Sequence, residues 1–402
     1  MISYSFQATI LVHHSQLFKG IADNSFLLTI KSLTFKDCKF SLINSNVFKD
    51  IQSLNELNQV IFLKPSFEDI QRGAFDFNSP NVSILIQDAT REFDLNQDVF
   101  GSSVNSLTIK NVVLSDFSTE QFLNMSHHGT IEVIDSSLKG KTVLDRHLRL
   151  LRIKSLKFRN VLFDDVYKSF LNVSADSNII FHNCSISLKH ENLIEMSAPK
   201  VIFQNSELQL GSHDSLKIST DLMEIRDCVF NEPQQRALNS ISGFDGSSTL
   251  VMKNISLKDP AKGTFLTKFL NLKIDDIFID SCECNVIRHL ACPYHDFEIE
   301  HDRFSAFLDC EEIQNELTNS TYCMYNATVG YSKIIDICPN KLPLTLLDNK
   351  ANQAVVGGMV FGFVIFFIII GAIGYKWHLK HKEKREFINK WRGAYPATTV
   401  YR

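Results

Sequence analysis

Phe158–Phe163 reads FRNVLF, Phe181–Ile186 reads FHNCSI, Phe203–Leu208 reads FQNSEL and Ile225–Phe230 reads IRDCVF, one short pattern returning at a nearly constant interval. Two apolar residues separated by one unrestricted position lead, after one more, to an Asp or Asn, which is followed by a small residue, an unrestricted one and then another apolar one. Outward from this stretch the signature recurs as FKDCKF at 35–40, IKNVVL at 109–114 and MKNISL at 252–257. Its acid or amide falls at Asp37, Asp88, Asn111, Asp135, Asn160, Asn183, Asn205, Asp227, Asn254 and Asp280, with His14 and Lys64 as weaker members, so twelve coils are counted at intervals of about 24 residues.

Leu33 and Phe35, Leu107 and Ile109, Leu156 and Phe158, Val201 and Phe203, and Leu250 and Met252 hold the two apolar places. Alternation with period two puts each pair on one face of a strand. Repetition at a fixed interval stacks such strands in parallel around a shared interior that no single coil could bury. The expected fold is therefore mainly β, a parallel β-solenoid over residues 1–280. At the corner, Asp or Asn accepts from nearby backbone N–H groups and tolerates left-handed backbone geometry. A calcium or catalytic carboxylate ladder is the sharper alternative, but free exchange of Asp and Asn between coils argues against it. Cys38, Cys184 and Cys228 occupy the small position on non-adjacent coils and read as buried small hydrophobes rather than disulfides.

Two solenoid types share these features. Val60, Phe62, Phe67, Ile70 and Phe75 in VIFLKPSFEDIQRGAF, then Leu107, Ile109, Leu114, Phe117 and Phe122, resemble a leucine-rich repeat, except that its Asn falls one place later. From about Asn172 the coils shorten, and SFLNVSADSNIIFHN, NLIEMSAPKVIFQN and SLKISTDLMEIRD are similar to right-handed parallel β-helix coils with paired strands across tight corners.

The composition agrees with a folded β protein: 402 residues, 44% hydrophobic and 21% charged, with 32 Phe against 16 Gly and 9 Pro. Wholesale disorder, collagen and a basic nucleic-acid binder are excluded. Ala354–Tyr375 reads AVVGGMVFGFVIFFIIIGAIGY without a charge, and as a helix it would reach across roughly 30 Å of hydrocarbon. A buried core helix would rarely be apolar on every face. Lys376, Lys380, Lys382, Lys384 and Arg385 follow at once, which puts the C-terminus in the cytosol and the N-terminal part outside the cell. Residues 376–402 carry net +6 and the remainder net −10. That basic tail suits anionic lipid headgroups. Ala354, Gly358 and Gly362 share one face of the helix, a small-residue stripe that permits a homodimer. MISYSFQATILVHHSQLF has no basic n-region and its apolar run is interrupted by His13 and His14, so a chain truncated at its N-terminus is expected.

Cys282, Cys284, Cys292, Cys310, Cys323 and Cys338 crowd residues 281–340, between the last coil and a juxtamembrane linker at 341–353. An even number suits disulfides in an oxidising compartment, with fifteen pairings open. SCECNVIRHLACP followed by FLDCEEI is similar to the cysteine-flanked caps of extracellular leucine-rich-repeat proteins, which implies that this segment covers the end of the solenoid. Zinc is the alternative, with His289 and His295 near, but neither a CxxC nor a closing His pair is present. Seven acceptor sequons precede the apolar segment, at Asn81, Asn124, Asn172, Asn183, Asn254, Asn319 and Asn326. Asn81, Asn319 and Asn326 are the expected glycosylation sites, since Asn183 and Asn254 hold corners.

Chemistry is sparse. Arg152-Ile153-Lys154, Asp164-Asp165 and the HHG at 127–129 are fragments of the motifs of pectin-degrading β-helix hydrolases, in the wrong order and without NTD or GHG. Consecutive carboxylates cannot face each other across a sugar. No phosphate loop, nucleophile elbow or HExxH pair occurs. No cofactor, metal or nucleic acid is expected. The reading is a non-enzymatic, single-pass cell-surface protein of adhesion or receptor type whose solenoid recognises an extracellular protein or glycan. The alternatives are a membrane-tethered polysaccharide lyase or hydrolase and a structural scaffold.

Overall fold

The computed structural model describes residues 7–13, 29–49, 54–140, 149–164, 171–188, 194–210, 216–234, 237–238, 240–244, 248–261, 264, 271–280, 290, 316–326, 330–337 and 382. The chain divides into two compact units, Met1–Leu342 and Pro343–Arg402. The first is a parallel β-solenoid.

Its principal sheet among the described residues is a column of twelve strands joined by eleven successive parallel pairings, from Gln7–His13 through to Asn271–Ile279. The register keeps the paired apolar positions in line: Leu33 faces Val60, Val60 faces Ile84, Leu156 faces Ile179 and Val201 faces Met223. Val60, Phe62, Ile84, Ile86, Leu107 and Ile109 are all fully buried. Alternation is what makes this possible, because one face of each strand can be wholly apolar while the other meets water.

The apolar residue that ends each motif builds a second column across the corner. Phe40 pairs with Phe67, Leu114 with Leu138, Leu138 with Phe163, Phe163 with Ile186, Ile186 with Leu208, and Leu208 with Phe230. Aromatic rings fill the space between the columns in layers. Phe158, Phe181 and Phe203 stack at centroid distances of 5.0 and 4.6 Å, and Phe48, Phe75, Phe100 and Phe122 form another row at 6.1, 5.4 and 5.5 Å. Each such pair adds about 0.5–1.5 kcal/mol beyond the area it buries.

A third parallel sheet closes the later coils, with Leu171 opposite Ile194 and Ile194 opposite Leu216, and Val173 opposite Met196 and Met196 opposite Ile218. It opens one coil earlier than the shortening at Asn172 suggests, because Leu151 and Ile153 already pair with Val173 and Ala175. Within Leu151–Arg159 the register slips between Ile153 and Ser155, which lets one strand serve two faces.

The stack ends in a change of direction. Thr321–Asn326 adds in parallel to Asn271–Ile279, then pairs antiparallel with Gly330–Lys333. Cys323 sits buried in this strand and is disulfide-bonded. It is the one member of the six-cysteine set within the described residues; Cys282, Cys284, Cys292, Cys310 and Cys338 lie outside them. Cys38, Cys184 and Cys228 carry buried thiols. Burial pushes the Cys184 and Cys228 thiols up to about 11, and all three sulfurs donate to the carbonyl two residues back, at 3.3, 3.5 and 3.1 Å. Ser136 and Ser206 make the same contact at 2.6 and 2.9 Å, so in these five coils the small position holds a short donor inside the corner, whereas Val112, Val161 and Ile255 fill the same place with buried apolar side chains.

Among the described residues no helix is long and apolar enough to cross a membrane. The apolar segment 354–375, with Ala354, Gly358 and Gly362, lies outside them.

Candidate functional site

The motif's acid or amide residues stand at the first corner. Asp37, Asp88, Asn111, Asp135, Asn160, Asn183, Asn205, Asp227 and Asn254 have φ between 50 and 56°, and so does Lys64. This is the left-handed region that Asp and Asn enter at least cost among residues other than Gly. Neighbouring corners are 22 residues apart from Asn183 to Asn205 and 27 from Asp37 to Lys64. Their backbone N–H groups still reach the next coil: Asp37 donates to Leu63 O at 2.9 Å, Asn111 to Ile134 O at 2.9 Å and Asn205 to Arg226 O at 3.0 Å.

Asp280 needs correction. Lys253 pairs with Asp275 and Ile255 with Ile277, so the counterpart of Asn254 is Asp276, whose φ is 58°. IDDIFID offers three acids, and Leu272 and Ile274 before Asp276 are what mark the true corner. Asp280 instead accepts the Tyr331 O–H at 2.6 Å, which pushes the phenol up to about 12 and ties the final hairpin to the stack.

Asp and Asn are not equivalent along the ladder. The Nδ2 of Asn111 donates to Asp88 Oδ1 at 2.7 Å, that of Asn160 to Asp135 at 2.7 Å, that of Asn183 to Asn160 at 2.8 Å and that of Asn254 to Asp227 at 2.7 Å. Each amide reaches back to the preceding corner, and a carboxylate there can only accept. The hydrogen bond from Asn111, with a second from Gln87, holds the Asp88 carboxyl below its ordinary value. It therefore stays ionised in neutral solution, and this contribution to stability is lost only as the pH falls through that depressed value.

Asp88, Asn111, Asp135 and Asn160 line an open groove of about 570 Å³ along this corner. Leu162, 47% exposed, is its one large exposed apolar residue among the described residues. A Lys139–Glu92 ion pair at 2.7 Å lies on the same side of the coils.

A second corner escapes the motif. Asn46, Gly73 and Asp98 have φ of 58, 69 and 54°, nine or ten residues after Asp37, Lys64 and Asp88. Asn46 N donates to Gly73 O, Gly73 N to Asp98 O and Asp98 N to Glu120 O, at 3.0, 2.8 and 2.9 Å. That offset is the signal in the sequence, though the three residue types differ. The Asp98 side chain is fully buried and receives Arg72 at 2.8 Å and Arg149 at 3.2 Å.

Of the remaining candidates, Asn81 is exposed just before Val82–Gln87, and Asn319 is exposed in helical residues 316–320. The side chain of Asn326 lies outside the described residues. Asn183 and Asn254 spend their amides on the ladder. Arg152 and Lys154 are exposed on Leu151–Arg159 with Ile153 buried between them, and Asp164 is exposed on Leu162–Asp164; Asp165 lies outside the described residues. Among the described residues no group of three His, Cys, Asp or Glu side chains could hold a metal ion. No family model matches the chain, and no curated protein or solved structure matches it.

Proposed function

We propose that the chain is a non-enzymatic, single-pass cell-surface protein whose solenoid recognises an extracellular glycan or protein, with the ladder groove as its contact surface. The observation that carries this reading is the groove itself, a row of acceptors and amides repeated once per coil at roughly 4.8 Å and open along its length. Carboxylates, amides, Thr90, Ser136 and Ser137 line it beside Ala89, Val112, Val113 and the exposed Leu162, a mixture that suits both the hydroxyls and the C–H faces of a glycan.

Residues 354–375 and their basic flank supply the anchor and set the solenoid outside the cell. The disulfide at Cys323 suits an oxidising compartment, and a disulfide-rich cap at 281–340, a leucine-rich-like first half and glycans on Asn81, Asn319 and Asn326 belong to the same proposal. A hydrolase is favoured less, because general-acid chemistry needs a carboxyl raised towards neutrality whereas Asp88 is held low.

The test is a screen of the full chain, displayed on cells, against a glycan array and a panel of extracellular proteins. Capture of one ligand class without cleavage of it is expected, with loss on Leu162→Arg, which sets a bulky cation in the groove. Intact binding in that variant, release of shortened glycan, or digestion of the cytoplasmic tail rather than the solenoid by added protease would each defeat the proposal. The Ala354, Gly358 and Gly362 stripe is proposed to pair two copies. Changing both glycines to Ile is expected to abolish crosslinked dimer in membranes, and undiminished crosslinking removes the idea.

A further inference from the structure

We infer that Asn124 is a glycosylation site whose sugar chain folds back into the second corner, an inference that rests on the reading of the solenoid as extracellular. Among the sequon asparagines, Asn183 and Asn254 give their amides to the ladder, and Asn172 is half-buried within Leu171–His182. Asn124 is free of such duties. It lies two residues beyond the 3-10 helix Thr119–Phe122, exposed beside the buried Phe122 and Met125, and the Met125 N–H donates to Phe122 O at 2.9 Å. Its amide has no hydrogen-bond partner among the described residues. Met125 and Ser126 complete the acceptor sequence.

Asn124 is also part of a groove of about 510 Å³, which it lines together with Asn46, Arg72, Gly73 and Ser102 from the three coils before it. At roughly 4.8 Å per coil these four coils extend about 14 Å, room for more than one sugar ring. None of the lining residues is a large apolar side chain. Asp76 and Asp98 stand against the single Arg72, so the lining is negative and disfavours acidic sugars. Both carboxylates are engaged from within the protein, Asp76 by Ser103 Oγ and the Phe77 N–H at 3.1 Å each and Asp98 by Arg72 at 2.8 Å. What remains for a ligand is the Ser102 hydroxyl, the Asn46 amide and the outer nitrogens of Arg72, whose side chain is 70% exposed. Such groups suit the hydroxyls and acetamido carbonyl of a neutral N-acetylhexosamine, the sugar joined to a sequon asparagine. The co-reactant is a polyprenyl pyrophosphate carrying an oligosaccharide. Asn124 Nδ2 bonds to the anomeric carbon as the bond from that carbon to the pyrophosphate oxygen breaks. The pyrophosphate leaves with the bonding pair, and the amide proton passes to a base on the transferase. Asn46, Gly73 and Asp98 build no continuous side-chain ladder, so the seated sugar supplies the links between coils that amides supply at the first corner.

The test expresses the full chain in a eukaryotic cell line that retains oligomannose glycans and reads every sequon by mass spectrometry after enzymatic deglycosylation in heavy-oxygen water. Asn124 is expected to be occupied, and Asn124→Gln to lower the mass by one glycan. Seating is read by an endoglycosidase that cuts between the first two N-acetylglucosamines. Release from Asn124 is expected to be about tenfold or more slower in the native chain than after denaturation, since a sugar held in the groove must first leave it. Ser102→Tyr sets a ring at an exposed lining position and is expected to restore fast release from the native chain. A bare Asn124 with any other sequon occupied overturns the inference alone, whereas a chain bare at every sequon overturns it together with the extracellular reading. Equal release before and after denaturation, or slow release that Ser102→Tyr leaves unchanged, overturns the seating of the sugar in the groove.

Discussion

Phe181→Ala is expected to destabilise the solenoid by about 3–5 kcal/mol, the usual cost of deleting a buried ring from a core that cannot collapse around the gap. Phe181 is fully buried and lies between Phe158 at 5.0 Å and Phe203 at 4.6 Å, parallel to the latter within 3°, with Phe163 tilted against it at 6.0 Å. Backbone hydrogen bonds on both sides fix the coil spacing, so neighbouring coils are poorly able to close the cavity. In a stack where each coil touches only its neighbours the damage stays local. Hydrogen exchange should therefore accelerate in Leu151–Arg159, Leu171–His182 and Lys200–Gln204 while Thr29–Lys36 keeps its protection. Urea denaturation gives the magnitude. A loss under about 1 kcal/mol, typical of a site that repacks or is already loose, would show that the aromatic stack is not what holds adjacent coils together.

The second large effect is expected at the corner. Asn160→Val should cost about 2–4 kcal/mol, combining left-handed backbone strain of about 1–2 kcal/mol with two side-chain hydrogen bonds of modest net worth. At φ 54° the Asn160 side chain donates to Asp135 and accepts from Asn183, while its N–H reaches His182 O at 2.9 Å. Asn160→Gly removes the same side-chain bonds but tolerates the backbone, so it should cost clearly less. Asn160→Asp keeps the geometry, loses the donor and sets a second carboxylate beside Asp135, which places it between the two. Valine and glycine variants with equal midpoints in denaturant would sink the strain argument.

The solenoid was legible because its determinants are local and repeated. Leu156 and Phe158, or Val201 and Phe203, announce an inward face by alternation alone, and the Asp or Asn after them announces the corner. Legibility failed where neighbouring choices compete or types vary. At IDDIFID several acids compete, and only the phase of Leu272 and Ile274 decides for Asp276 over Asp280. At the second corner Asn46, Gly73 and Asp98 have backbone geometry in common but no side-chain type. The contact of Asp98 with Arg149, 51 residues away, arises from coils brought together in space, which spacing along the chain does not encode. The amide-to-carboxylate relay was hidden for another reason: Asp and Asn look interchangeable until their donors and acceptors are traced from coil to coil.

Apart from its last hairpin, every strand pairing among the described residues runs the same way. A bare terminal rung in such an array is a template on which another molecule's extended segment can add, the route by which unidirectional stacks lengthen into filaments. Gly330–Lys333 folds back over Thr321–Asn326 in the opposite sense, is only four residues long and carries a lysine at its end. Among the described residues, an arriving copy meets there a short edge of reversed polarity, which acts as a brake on polymerisation over the rungs it covers.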